Sequence, residues 1–162
     1  MSSPREYGRL SFLLQVVKNE SRHLQLTTER LFQQKIDADW VVALEDNIDK
    51  SEQLDAFVAR FGRLQDTMAD KLIPELMHCM AERPGSALDN LNRMEKLELV
   101  DSVAQWLEAR NLRNRLIHEY MKDAEEFAQA LNRAHELVPA LVSAFHRINE
   151  YAVAHGFEQS SR

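Results

Sequence analysis

The stretch Ser51-Glu-Gln-Leu-Asp-Ala-Phe-Val-Ala-Arg-Phe-Gly-Arg-Leu-Gln-Asp-Thr-Met-Ala-Asp-Lys-Leu-Ile-Pro-Glu-Leu-Met-His-Cys-Met80 sets the fold class. Leu54, Phe57, Val58, Phe61, Leu64, Met68, Leu72, Leu76 and Met80 step along it by three or four residues. That spacing keeps one face of a 3.6-residue helix pointed at a core. The stretch therefore reads as one long helix. Pro74 lies inside it, removes a backbone donor, and is expected to kink the helix or bring its end forward.

The same period recurs on either side. Leu10, Leu13, Leu14, Val17, Leu24 and Leu31 put an apolar stripe on a first helix, from about residue 5 to 33, interrupted by the polar run Asn19 to His23. Asp37 or Asp39 can cap a short helix through Trp40, Val41 and Leu44. Glu82-Arg-Pro-Gly-Ser86 is the clearest loop, and Ser86 can open a short helix carrying Leu88, Leu91, Met94 and Leu97. Ser102 with Gln105 reads as a capping box for a helix through Trp106 to about Tyr120. Asp123 with Glu126 repeats the box. It opens a last helix whose stripe runs Phe127, Leu131, Ala134, Val138, Leu141, Phe145 and Ile148, with Pro139 as a bend and Gly156 past its end. Residues 158–162 read as a frayed tail. Four glycines and four prolines are too few for an all-β chain, which needs turn residues at every hairpin. The expectation is an all-α, up-and-down bundle of four to five main helices plus short ones, in a single domain over residues 1–162.

A chain of 162 residues with 44% hydrophobic and 28% charged residues is large and apolar enough to build a core without staples. Cys79 is the only cysteine, which excludes an intrachain disulfide and a zinc site of cysteines and fits a reducing compartment. The first twenty residues hold no uninterrupted signal core, and no apolar run approaches the length of a membrane span, so a cytoplasmic location and no membrane partner are expected. The formal net charge of −6 disfavours a protein that coats nucleic acid without selectivity.

Chemistry concentrates in Arg110-Asn-Leu-Arg-Asn-Arg-Leu-Ile-His-Glu-Tyr120, which carries three arginines before its first acid. The order is Arg113, Asn114, three residues, His118, one residue, Tyr120. It resembles the motif of the HEPN superfamily, and specifically the HepT toxin branch. Phe61-Gly-Arg-Leu-Gln-Asp-Thr-Met-Ala-Asp-Lys-Leu-Ile-Pro74 and Asn92-Arg-Met-Glu-Lys-Leu97 are similar to further signatures of that family, in the family's order. The likeness spans most of residues 54–120.

The resemblance implies a small helical homodimer that cleaves RNA without a metal, the toxin of a type VII-like toxin–antitoxin system. A minimal nucleotidyltransferase antitoxin would silence it by transferring AMP to the motif tyrosine, here Tyr120. Arg113 and His118 map onto the catalytic pair and Asn114 onto the polar position that supports them. No cofactor is implied.

Residue chemistry favours the same positions. Attack by a ribose 2′-hydroxyl on the adjacent phosphorus needs a proton carrier of near-neutral pKa, which His118 offers. It also needs a fixed cation for the developing charge, which a guanidinium such as Arg113 supplies as a planar fork. Asn114 can orient the imidazole or bind another oxygen, and Arg110 and Arg115 are candidates for RNA phosphate contacts. At about 100° per residue, Arg113 and His118 lie about 140° apart around a helix and about 7.5 Å along it. A compact site then requires a loosened helix near His118, a long reach by Arg113, or a second copy of the segment across a two-fold axis, the last favoured by the family's dimer.

The other groups read more plainly. His23, His78, His135, His146 and His155 offer no convincing ligand pair, so no metal site is expected. Trp106 reads as core or interface, and the acidic run Glu45, Asp46, Asp49, Glu52 and Asp55 as a solvated face. Asp66 and Asp70, four apart on the long helix, show a spacing common on helices and receive no role. Two further functions stay open: a non-catalytic helical docking subunit or substrate of a nucleotidyltransferase, and a plain helical adaptor.

Overall fold

The computed structural model describes residues 7–118 and 122–157, and its apolar runs fold into four long rods. Helix α1 (Gly8–Leu31) runs unbroken through the polar interruption. Asp37 caps α2 (Ala38–Val42) by accepting from the Trp40 N–H at 2.9 Å, and a 3-10 turn (Ala43–Asp46) follows. Helix α3 (Ile48–Thr67) starts earlier than its apolar stripe, because Asn47 Oδ1 accepts from the Lys50 N–H at 3.1 Å.

Pro74 neither ends the second rod nor leaves a free break in it. A π-helical turn (Met68–Leu72) joins α3 to α4 (Ile73–Cys79), and the Ile73 N–H reaches back five residues to the Met68 carbonyl. The wider turn keeps the proline ring clear of the preceding carbonyl and absorbs the missing donor. Ser86 and Asp89 form a reciprocal capping box on α5 (Ala87–Lys96). Ser102 Oγ accepts from the Gln105 N–H at 3.2 Å at the head of α6 (Val103–His118), and Asp123 accepts from the Glu125 and Glu126 N–H groups at the head of α7 (Ala124–Ala154).

Side-chain bridges fix the rod directions. Lys50 Nζ reaches the Arg30 carbonyl while Thr67 meets Glu20, so α1 and α3 are antiparallel. Glu108 meets Arg133 and Asp101 meets Arg147, which sets α6 antiparallel to α7. Phe32 stacks on His135 and Tyr7 lies against Phe157, closing α1 onto α7. Helix α3 also packs on α6, so α1, the α3–α4 rod, α6 and α7 form a closed up-down-up-down bundle. No strand occurs among the described residues.

One apolar cluster fills the bundle and draws on every rod. Leu24 and Leu31 of α1, Phe57, Phe61 and Leu64 of α3, Ala109 of α6, and Leu131 and Ile148 of α7 are fully buried within it. Trp106 belongs to this core, at 5% exposure. Among the described residues no helix is long and apolar enough to cross a membrane. The expected tail, 158–162, lies outside the described residues.

Two helices end on residues that lack the glycine such ends favour. Ala81, after α4, and Glu98, after α5, have φ of 60° and 61°, a left-handed conformation that costs an L-residue about 1 kcal/mol. Ala81→Gly is therefore expected to stabilise the protein by about 1 kcal/mol in urea unfolding, whereas Ala59→Gly, on the exposed face inside α3, destabilises it by about as much.

Candidate functional site

Helix α6 carries the Arg113 to His118 stretch, and its buried face decides where each side chain can go. Trp106, Ala109, Leu112 and Leu116 are buried, which turns Arg110, Asn114, Arg115 and Ile117 outward. Arg113 sits at the margin, with 28% of its side chain accessible, and crosses to α3.

There the guanidinium makes a two-pronged pair with Asp66, Nη1 to Oδ1 and Nη2 to Oδ2, both at 2.9 Å. The crossing needs Gly62. A Cβ at position 62 would stand 2.7 Å from Arg113 Nε and 3.1 Å from its Cγ. A glycine inside a helix costs about 1 kcal/mol relative to alanine, and close approach of another chain segment is a physical reason to keep one. Gln65, itself buried, donates its amide to the Ala109 carbonyl of α6 at 3.3 Å. Gly62, Gln65 and Asp66 thus form one face of α3 fitted to α6.

These three residues are the part of the site that residue chemistry alone passes over. Their spacing of three and four was visible, and a glycine inside an apolar helical run was the available signal. The partner helix was not visible, because sequence spacing does not reveal which rod lies alongside.

The structure brings Arg113 to Asp66 and turns Asn114 to solvent, so Arg113 and Asn114 do not converge within one chain. His118 closes α6, and its side chain lies outside the described residues, as does the whole of Tyr120. The sequence shows three arginines and no acid from Arg110 to Arg115, but the fold places Asp66 on one of them. The local positive field is correspondingly weaker than that stretch suggests by itself. Both partners are partly exposed, so the pair contributes no more than about 1 kcal/mol, and its main effect is to fix the guanidinium. The N–H groups not used by Asp66 can still meet an anionic oxygen.

A wider groove of about 620 Å³ lies between α1 and α7, floored by Val138, Pro139 and Val142. None of Arg110, Arg113, Asn114 or Arg115 lines it. Beside Asp66, at the α1–α3 contact, Glu20 accepts from the Thr67 hydroxyl at 3.0 Å, while its other oxygen is buried without a partner among the described residues. Burial pushes the Glu20 carboxyl above the usual carboxylate range, against the opposing effects of the Thr67 hydroxyl, Arg63 and Lys71.

No family profile, curated protein or solved structure matches the chain.

Two outcomes follow from this geometry. Asp66→Ala and Arg113→Ala are expected to show a coupling of about 1 kcal/mol in a double-mutant cycle, and that coupling disappears in a Gly62→Ala background, where the added Cβ displaces the guanidinium. Glu20 binds a proton more tightly folded than unfolded, so its contribution to stability falls as pH rises from the ordinary value of 4.5 through its raised folded value. Urea unfolding from pH 4 to pH 7 should therefore show the stability of Glu20→Gln rising relative to the parent protein as pH increases.

Proposed function

We propose that the chain is a metal-independent endoribonuclease toxin of the HepT type, working as a homodimer and silenced by a minimal nucleotidyltransferase antitoxin. The observation that carries this reading is the placement of Arg113. Its guanidinium is held in one orientation by Gly62 and Asp66, on the helix that presents Asn114 and His118 in the motif's order.

In the proposed reaction the ribose 2′-oxygen attacks the adjacent phosphorus, and the bond to the 5′-oxygen breaks. His118 takes the 2′-hydroxyl proton or delivers one to the departing 5′-oxygen. The products are a 2′,3′-cyclic phosphate and a 5′-hydroxyl. Arg113 neutralises charge building on the phosphorane oxygens through the N–H groups that Asp66 leaves open. A guanidinium that is already oriented loses no conformational freedom as the substrate arrives, which is the advantage of pairing it in advance. Arg115 supplies a phosphate contact, Arg110 lies on the same exposed face of α6, and the second copy of α6 in a dimer brings His118 of one chain toward Arg113 of the other.

AMP attached to Tyr120 adds a phosphodiester charge and a base two residues beyond His118 in the sequence. That group competes for the phosphate position and for Arg113.

The protein is expected to cut RNA in EDTA, and His118→Ala to lower the rate by about 10²- to 10⁴-fold. Equal cleavage by the parent and His118→Ala proteins would overturn the assignment. Tyr120→Phe is expected to remain toxic when expressed with an active nucleotidyltransferase partner. The neutralisation of Arg113 by Asp66 favours a second reading, in which the chain is a non-catalytic docking subunit or substrate of the nucleotidyltransferase. AMP addition at Tyr120 without RNA cleavage by the unmodified protein selects that reading.

A further inference from the structure

Next to the Arg113–Asp66 pair, a groove of about 80 Å³ opens between the π turn, α5 and α6. Part of its lining is apolar: Leu88 of α5 and Leu107 of α6 are exposed large aliphatic side chains, at 47% and 41%, and Trp106, itself part of the core, also lines it. Asp70, on the π turn, and Arg110, on α6, also line it.

What sets these two charges apart is that they face one groove without pairing across it. Arg9, Arg93, Arg113, Arg133 and Arg147 each pair with a carboxylate. Asp70 and Arg110 line one small groove, and neither side chain makes an ion pair or hydrogen bond with a described residue. They line the same groove without pairing with each other, so a ligand seated in it can meet both. A bridging ligand must offer donors to the carboxylate, which only accepts, and acceptors to the guanidinium, which only donates. Its body must be flat and apolar enough to lie against leucine and tryptophan.

Among the RNA bases this combination belongs to guanine. Its N1–H and N2–H groups are adjacent donors that match both oxygens of one carboxylate, while O6 and N7 form the acceptor pair that arginine reads in a bidentate manner. Adenine, cytosine and uracil each present a carboxylate with one donor group at most along that edge. A groove of this size takes the edge of one base. Asp66 both lines the groove and holds Arg113, so a base seated there lies beside a phosphate bound to Arg113.

We propose that this groove is a guanine-binding subsite, in which Asp70 accepts from the Watson–Crick edge of a guanine in the RNA and Arg110 donates to its O6 and N7. The assignment rests on the ribonuclease reading for its substrate, and direct binding tests it separately from cleavage.

The test is an NMR titration of the full-length protein with GMP, AMP, CMP and UMP, read at the Trp106 indole and at the backbone signals of the groove. GMP is expected to bind about 10- to 100-fold more tightly than the other three. Asp70→Asn, an isosteric change at an exposed position, is expected to lose that preference. It should instead favour XMP, whose C2 carbonyl accepts from the asparagine amide where guanine would donate. A variant that merely misfolds cannot acquire this new preference. Equal binding of the four mononucleotides, no binding of GMP, or GMP binding unchanged in Asp70→Asn overturns the proposal. Guanine selectivity that moves to XMP in Asp70→Asn, in a protein that cuts no RNA, upholds the groove and removes the ribonuclease reading.

Discussion

The close approach of α6 to α3 at Gly62 is the constraint on which the arrangement of the candidate site depends. With only a hydrogen at that position, the Arg113 side chain can lie across α3 and reach Asp66 one turn further on. Gln65 binds the α6 backbone from the same face of α3. Together these contacts fix the rotation and height of α6, and with them the outward face that carries Arg110 and Asn114 and the mouth of the groove beneath Leu107. A bulkier residue at position 62 would displace the Arg113 side chain and with it the pair to Asp66.

Pro74 imposes the second constraint, about two turns beyond Asp66 along the same rod. A plain α-helical path through a proline would leave a clash and an unpaired carbonyl in a core rod of the bundle. The π turn resolves both and lets Met68, Leu72, Ile73 and Leu76 stay fully buried on one continuous face. It also places Ala69 and Asp70 in the widened turn, where they line the groove rather than pack against a neighbour. The accommodation of one proline thereby shapes a surface next to Arg113.

The four rods, several helix caps and most of the core were legible because they follow from local rules. A period of three to four residues marks a buried stripe, and Asp37, Ser86 and Asp123 stand where a helix start needs an acceptor. What sequence could not convey is which rod lies beside which. Asp66 looked like half of an ordinary helical carboxylate pair with Asp70, although the fold sends one to Arg113 and leaves the other in a groove. The start of α3 at Asn47 and the π turn at Met68 were hidden for a related reason. Each is settled by a backbone N–H whose acceptor, the Asn47 side chain or the Met68 carbonyl, the apolar pattern does not mark.

Electrostatics give the contact between α3 and α6 a further consequence. On a chain with a net charge of −6, a freely mobile arginine cluster would attract polyanions with little discrimination. Pairing Arg113 with Asp66 lowers that general attraction while keeping the guanidinium oriented. A phosphate that approaches must then share the guanidinium with a carboxylate already in place, and the electrostatic gain is small unless other contacts add to it. Selectivity follows from this weakness. When the charge at a site is largely offset, shape and hydrogen bonding decide what stays bound, and those are the properties that the groove beside Asp66 can read.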